Sequence, residues 1–267
     1  MSIYQMFLGS FFQFKNLISV RKSPFGKVIF YLVLLSFVYA IPLTTQVMNI
    51  FGNLHADGQK IAGKLPDFTI KDNQLSSPEE NSGFIYQSNY LIFTFDPDNK
   101  RNATDIQSDL KGKLVSIGML KNQLIILFPS DETTQSLLGD TSFHLTYDQS
   151  IFSSFNGKTI KSVLAEKRLP WFLYVIIFLV AIYPSFINLV FTILFTALFS
   201  SIWLKRMDRS LTFLETLKLV IVSATVPTLL STLIMLFHYS FNSGTFLFLA
   251  TSFIVYQAVR KTKSSSK

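Results

Sequence analysis

Apolar residues in this chain fall into long blocks bounded by short basic segments, with one polar stretch after the first block. Val28 to about Ile50 is the first block, and about 20 such residues are what a helix needs to cross ~30 Å of hydrocarbon. Val38-Tyr39-Ala40 fits a small-residue cleavage site, but the long basic lead and the apolar run past Ala40 favour an uncleaved anchor. Pro170 to Leu204 forms the next block, which as one straight helix would extend ~52 Å. Two spans from it would be short and would strand Lys205, Arg206 and Arg209 on the opposite side from the other basic clusters. One long helix, tilted or kinked at Pro184, is expected instead. Thr212 followed three residues later by Glu215 reads as a capping box opening a third helix to about Tyr239. Asn242-Ser243-Gly244 then makes a tight turn, and Thr245 to about Val259 a short fourth span.

Ahead of the first block, Ile3, Phe7, Phe11, Phe14 and Ile18 recur at helical spacing. The expectation is an interfacial helix on the cytoplasmic leaflet, or else a helix packed on the protein's own loops. Residues 54–168 differ from the rest, alternating short β-rich runs with turn residues. The clearest unit is Leu114 to Leu120 and Gln123 to Phe128 around Lys121-Asn122, with Asn122 expected in the left-handed conformation. The segment is long enough to bury a small core of its own.

Charge sets the expected sidedness. The formal net charge is +8, but residues 52–168 carry 12 Lys/Arg and 14 Asp/Glu while the rest carries 12 against 2. The excess is concentrated beside the apolar blocks, at Lys15, Arg21, Lys22, Lys27, Lys205, Arg206, Arg209, Arg260, Lys261 and Lys263. That distribution is the positive-inside pattern of a membrane protein and not a nucleic-acid-binding face. The predicted order is a cytoplasmic interfacial segment 1–27, spans at 28–50, 170–204, 212–239 and 245–259, and a basic cytoplasmic tail 260–267. The fold class is therefore a membrane protein with about four transmembrane α-helices. One extracytoplasmic β-rich α+β domain, 54–168, is inserted between helices one and two. The protein should be multi-pass in the cell membrane with both termini cytoplasmic. With no cysteine, disulfides and Cys-ligated metals are excluded.

Few residues point to chemistry. Gly58 to Lys64 satisfies most of a phosphate-binding loop, but Leu65-Pro66 stands where a magnesium-ligating Ser or Thr belongs. Asp96, Asp98, Asn99 and Asp105 suggest a calcium loop, yet Lys100 and Arg101 occupy the fifth and sixth positions, so a solvated turn is expected. His55, His144 and His238 form no metal pair, and no nucleophile elbow is present. No cofactor, metal or catalytic residue is assigned, and the chain is not expected to be an enzyme. Two polar seams carry more information: Asn188, Thr192, Thr196 and Ser200 in the second span, and Ala224, Thr228 and Thr232 in the third. Small and hydroxylated residues every four positions let helices approach closely, and they would equally line a solute path.

The chain resembles a family of Gram-positive bacterial membrane proteins of unknown function, some of which bear the name maltodextrin-utilisation protein. The resemblance covers nearly the whole length. It is carried by Phe11-Phe12-Gln13-Phe14, by Leu65-Pro66-Asp67-Phe68-Thr69-Ile70, by Phe93-Thr94-Phe95-Asp96 with the hairpin that follows, and by the three-span C-terminal part. It implies a link to α-glucan uptake and brings no catalytic residues with it. The leading expectation is a non-enzymatic accessory protein in the lipid bilayer. Its outer domain would meet a sugar, cell-wall component or partner, and its spans would dock on a transport protein such as a carbohydrate ABC permease. A transporter or channel subunit using the seams, and an envelope sensor, are the alternatives.

Overall fold

The computed structural model describes the chain except residues 13–16, 133, 136–138, 150–151, 153–154, 166–169, 208–210, 239 and 265–267; of 12, 207 and 261–264 it describes the backbone alone. Phe14, Lys15, Arg209 and Tyr239, and the side chains of Lys261 and Lys263, therefore lie outside the described residues. The chain divides into a helical unit, Met1–Met48 with Trp171–Lys267, and a sheet-containing unit, Asn49–Pro170.

The helical unit opens with α1 (Ile3–Phe12) and a 3-10 turn (Ile18–Lys22), followed by α2 (Phe25–Tyr39) and α3 (Ile41–Lys64). After the sheet unit come α6 (Trp171–Met207), α7 (Phe213–Ser223), α8 (Thr225–Phe237) and α9 (Ser243–Ser264). α7 is the centre of this unit. Every residue from Thr216 to Ser223 is buried, with α6, α2, α9, α1 and the 3-10 turn packed around it. Its start is held by reciprocal capping: Thr212 Oγ1 accepts from the Glu215 amide at 3.3 Å, and the Glu215 carboxylate accepts from the Thr212 amide at 2.9 Å.

The outward faces of α2, α6, α8 and α9 are apolar. Phe30, Tyr183, Phe191, Phe195, Leu233, Phe237 and Phe253 are all more than half exposed. A water-soluble protein would bury such side chains, each worth about 1.5–3 kcal/mol, so hydrocarbon is the solvent these faces fit. Among the described residues, the stretches Phe25–Lys64 and Trp171–Arg206 are long and apolar enough to cross a membrane. The α7–α8 pair, bent by 42°, would make a third. Among the described residues, α9 does not join them.

Several elements differ in detail from the sequence reading. The expected third helix is broken at Ala224, close to Pro227, whose missing N–H removes the helical partner of the Ser223 carbonyl. Asn242 is a cap, its side chain accepting from the Thr245 amide at 3.0 Å, so α9 begins two residues early. On α1 the buried face is Met6, Gly9 and Ser10, while Tyr4, Phe7 and Leu8 are exposed. The helix thus packs on the bundle with one face and offers a second apolar face outward. α3 runs to Lys64, eleven residues into the segment expected to be β-rich. Leu54, Gly58, Ile61 and Leu65 form one stripe, and the helix stops ahead of Pro66.

In the sheet unit, β1 (Thr69–Lys71) and β2 (Gln74–Ser76) form a small hairpin. Asp72 and Asn73, with φ of 51° and 60°, make its two-residue type I′ turn. The main sheet has the order β3 (Phe84–Gln87), β4 (Leu91–Asp96), β5 (Val115–Leu120), β6 (Gln123–Leu127), β7 (Ser142–Thr146). The β5–β6 hairpin pairs Met119 with Leu124 around Lys121-Asn122, but Asn122 is not left-handed; that conformation belongs to Asp72, Asn73, Asn81 and Asn99. β4 and β5 are parallel, joined by the crossover helix α4 (Ala103–Asp109). All six residues of β4 are buried because both its faces are covered. Leu91, Phe93 and Phe95 pack with Ile61, Leu65 and Phe68, while Ile106 of α4 packs with Leu120, Ile125 and Leu127. α5 (Gly157–Leu164) completes the unit, and Leu164 lies 3.4 Å from where a Cβ on Gly58 would be.

Candidate functional site

The two polar seams separate into a packed part and an open part. Thr196, Ser200, Ala224, Thr228 and Thr232 are buried, Thr192 is half-buried, and Asn188 is exposed. Thr196 donates to the Thr192 carbonyl at 2.7 Å, a bond internal to α6. The hydroxyls of Ser200, Ser223, Thr228, Thr232 and Thr251 are buried with no hydrogen-bond partner. Small polar groups at these positions permit close helix approach, and the unpartnered hydroxyls hold hydrogen-bonding capacity inside the bundle.

Asn188 opens on a cavity of about 220 Å³ within the helical unit. Tyr39 ends α2, Gln46 lies on the first turns of α3, Ser185 and Asn188 follow Pro184 on α6, and Ser243 begins α9. The Tyr39 hydroxyl is 2.7 Å from Ser243 Oγ and donates to Asn188 Oδ1 at 3.4 Å. A phenol has one proton, so with Tyr39 donating to Asn188 it accepts from Ser243. This relay uses the Asn188 carboxamide oxygen and leaves its amide hydrogens uncommitted. Leu43 and Met235 supply apolar wall.

Basic side chains lie at the ends of the helices. Lys22, Lys27, Lys205, Arg206 and Arg260 are exposed, and Arg21 is half-buried. Lys218, 9% exposed, is the one buried lysine or arginine among the described residues, and its ammonium donates to the Arg21 carbonyl at 3.2 Å. Two of the cavity residues, Gln46 and Ser185, carried no signal in the sequence beyond being polar within apolar blocks, and Ser243 was marked only as part of a turn.

In the sheet unit the carboxylates of the suspected calcium loop meet the chain's own donors. Asp96 accepts from the Arg101 amide at 2.6 Å, Asp98 pairs with Lys100 at 3.0 Å, and Asp105 closes the capping box of α4 with Asn102. The Arg101 guanidinium donates to Asp109 at 2.7 Å and to Thr94 at 3.1 Å, and its pKa is raised chiefly by the Asp109 bond. Gly58 to Lys64 lies inside α3, so its amides are committed to a helix and cannot wrap a phosphate. Asp57, 5% exposed, accepts from the Tyr86 hydroxyl at 2.7 Å, and its second oxygen has no partner. Burial, followed by the Asp57 bond, pushes the Tyr86 phenol up to about 12.

No curated protein and no solved structure matches the chain. A family model described as "Protein of unknown function (DUF1189)" matches residues 4–259, nearly the whole chain. The chain belongs to the DUF1189 family.

Proposed function

We propose that this protein is a non-enzymatic, multi-pass accessory protein of the cell membrane that carries its sheet unit on the extracytoplasmic side as a binding or interaction module. The observation that carries the reading is the separation of surfaces. Apolar helices expose phenylalanine and leucine, exposed Lys22, Lys27, Lys205, Arg206 and Arg260 sit at their ends, and residues 52–168 hold more acid than base. Basic residues beside spans stay in the cytosol, so the sheet unit faces out and both termini face in. In this scheme α7 and α8 cross together as one bent helix and α9 returns the chain inward as a fourth span. The resemblance to proteins named for maltodextrin utilisation makes a carbohydrate permease the proposed membrane partner and a sugar or cell-wall glycan the proposed outer ligand. Purification from native membranes in mild detergent, with quantitative identification of co-purifying proteins, tests this. Enrichment of transport components is expected; recovery of the protein alone contradicts the permease assignment.

A second reading, a transporter subunit, is favoured by the broken α7–α8 helix with unpartnered Ser223 and Thr228 hydroxyls beside the break. On that reading, Thr228→Val and Ser223→Ala lower solute flux at unchanged protein level. If only the amount of folded protein falls, the hydroxyls are packing groups.

A further inference from the structure

We propose that the cavity formed by Tyr39, Gln46, Ser185, Asn188 and Ser243 binds a neutral polyhydroxyl group the size of one sugar ring or a glycerol headgroup. The proposal deepens the membrane reading and rests on it for where the site lies.

Polar side chains from α2, α3, α6 and α9 converge here although they are scattered between positions 39 and 243. Tyr39 and Ser185 are each 5% exposed. Tyr39 is fixed by its bonds to Ser243 and Asn188, which hold the Asn188 carboxamide in one orientation. Ser185 and Gln46 have no hydrogen-bond partner among the described residues, so their donors and acceptors are free for a ligand. Hydroxyls and carboxamides both donate and accept, which matches neighbouring hydroxyls on a polyol.

Among the described residues, none that lines the cavity is charged. An anionic or cationic ligand would leave water without a counter-charge, a cost that a neutral one avoids. Pro184 and Met235 offer apolar surface to the C–H faces of such a ligand. The volume, about 220 Å³, lies below the ~300–1,000 Å³ of sites for drug-sized molecules and suits a single small ring.

Position narrows the source. Ser243 lies 17 residues from Arg260 along α9, and Asn188 lies 17 from Lys205 along α6. Both separations correspond to ~26 Å of helix, close to the ~30 Å hydrocarbon thickness. The cavity therefore sits at the headgroup level opposite the basic ends, within reach of a lipid headgroup and of a free sugar.

The test uses the full chain in nanodiscs of phosphatidylglycerol with a monoglucosyl diacylglycerol, and reads retained lipid by native mass spectrometry. A second arm measures binding of free glucose and free glycerol in discs of phosphatidylglycerol alone. Retention of the glucosyl lipid only assigns the site to a headgroup, and binding of a free polyol as well assigns it to the soluble ligand. In either case Asn188→Leu and Ser185→Ala should each weaken binding about tenfold, the loss expected for one buried hydrogen bond. Ser185→Ala removes a single oxygen and keeps the test open should Asn188→Leu fail to fold. Preference for phosphatidylglycerol, no retention of either probe, or equal binding by wild type and both variants overturns the proposal. Accessibility of single cysteines in the same discs reports spanning separately, so loss of binding with spanning intact removes the site and not the membrane reading.

Discussion

The Tyr31 hydroxyl donates a buried 2.7 Å hydrogen bond to Thr225 Oγ1, joining α2 to the first residue of α8 across 194 positions of sequence. The direction follows because Thr225 spends its own proton on the Val222 carbonyl, at 2.7 Å. A side chain from another helix thus holds the chain at the point where the α7–α8 segment bends. Tyr31→Phe should cost about 1 kcal/mol, since Thr225 keeps its local bond and hydrogen bonds between helices in lipid average below that value. Tyr31→Ala, which also empties a core position, should cost about 3–5 kcal/mol. Thermal unfolding of the purified protein in detergent measures both, and equal losses would show that the hydroxyl, not the ring, dominates.

Gly118 on β5 has no room for a side chain. A Cβ there would stand 2.7 Å from Ile106 Cγ1 and 2.9 Å from Cδ1, so the Ile106 side chain of α4 would have to shift. Gly118→Ala should destabilise the sheet unit by about 1–3 kcal/mol. Ile106→Ala in the same chain should recover part of that loss, a non-additivity that a double-mutant cycle detects. If the two changes simply add, the contact is not the cause.

Stability of the sheet unit should fall at high pH through Tyr86. Its phenol is raised from 10.0 to about 12 in the folded chain, first by burial and then by the hydrogen bond to Asp57. The folded state therefore holds this proton more tightly than the unfolded state. The contribution is complete below pH about 10 and is lost as pH rises through about 12. Tyr86→Phe should flatten this part of the stability profile, read by chemical denaturation at a series of pH values. An unchanged slope in the variant would assign the alkaline loss to other groups.

The architecture was legible where one face or one block decides the structure. The Leu114–Phe128 hairpin could be read because apolar strands flank a polar pair, and α6 because a long uncharged run leads directly into Lys205 and Arg206. Parallel pairing of β4 with β5 leaves no local mark: it depends on α4 crossing over, and α4 is a short helix in polar sequence. The continuation of α3 to Lys64 was masked by Gly52, Gly58 and Gly63, which lower helix propensity although burial of Ile61 and Leu65 outweighs them. The left-handed turn was expected at Asn122 and lies instead at Asp72-Asn73, although both hairpins have two-residue connections, so loop length and an Asn do not by themselves select the turn. Of the site, periodicity pointed to Asn188 but could not show that Tyr39, Gln46 and Ser243 converge on it. Contacts between segments set far apart in the chain leave no period behind.

The central claim is that the basic helix ends stay in the cytosol while the sheet unit faces outward. The chain has no cysteine, so single substitutions give clean probes. Asn122→Cys, on the exposed turn between β5 and β6, should react with a membrane-impermeant maleimide on intact cells. Ser2→Cys, exposed ahead of α1, should react only after the membrane is opened. Protection of position 122 in intact cells, or labelling of position 2 from outside, would contradict the account.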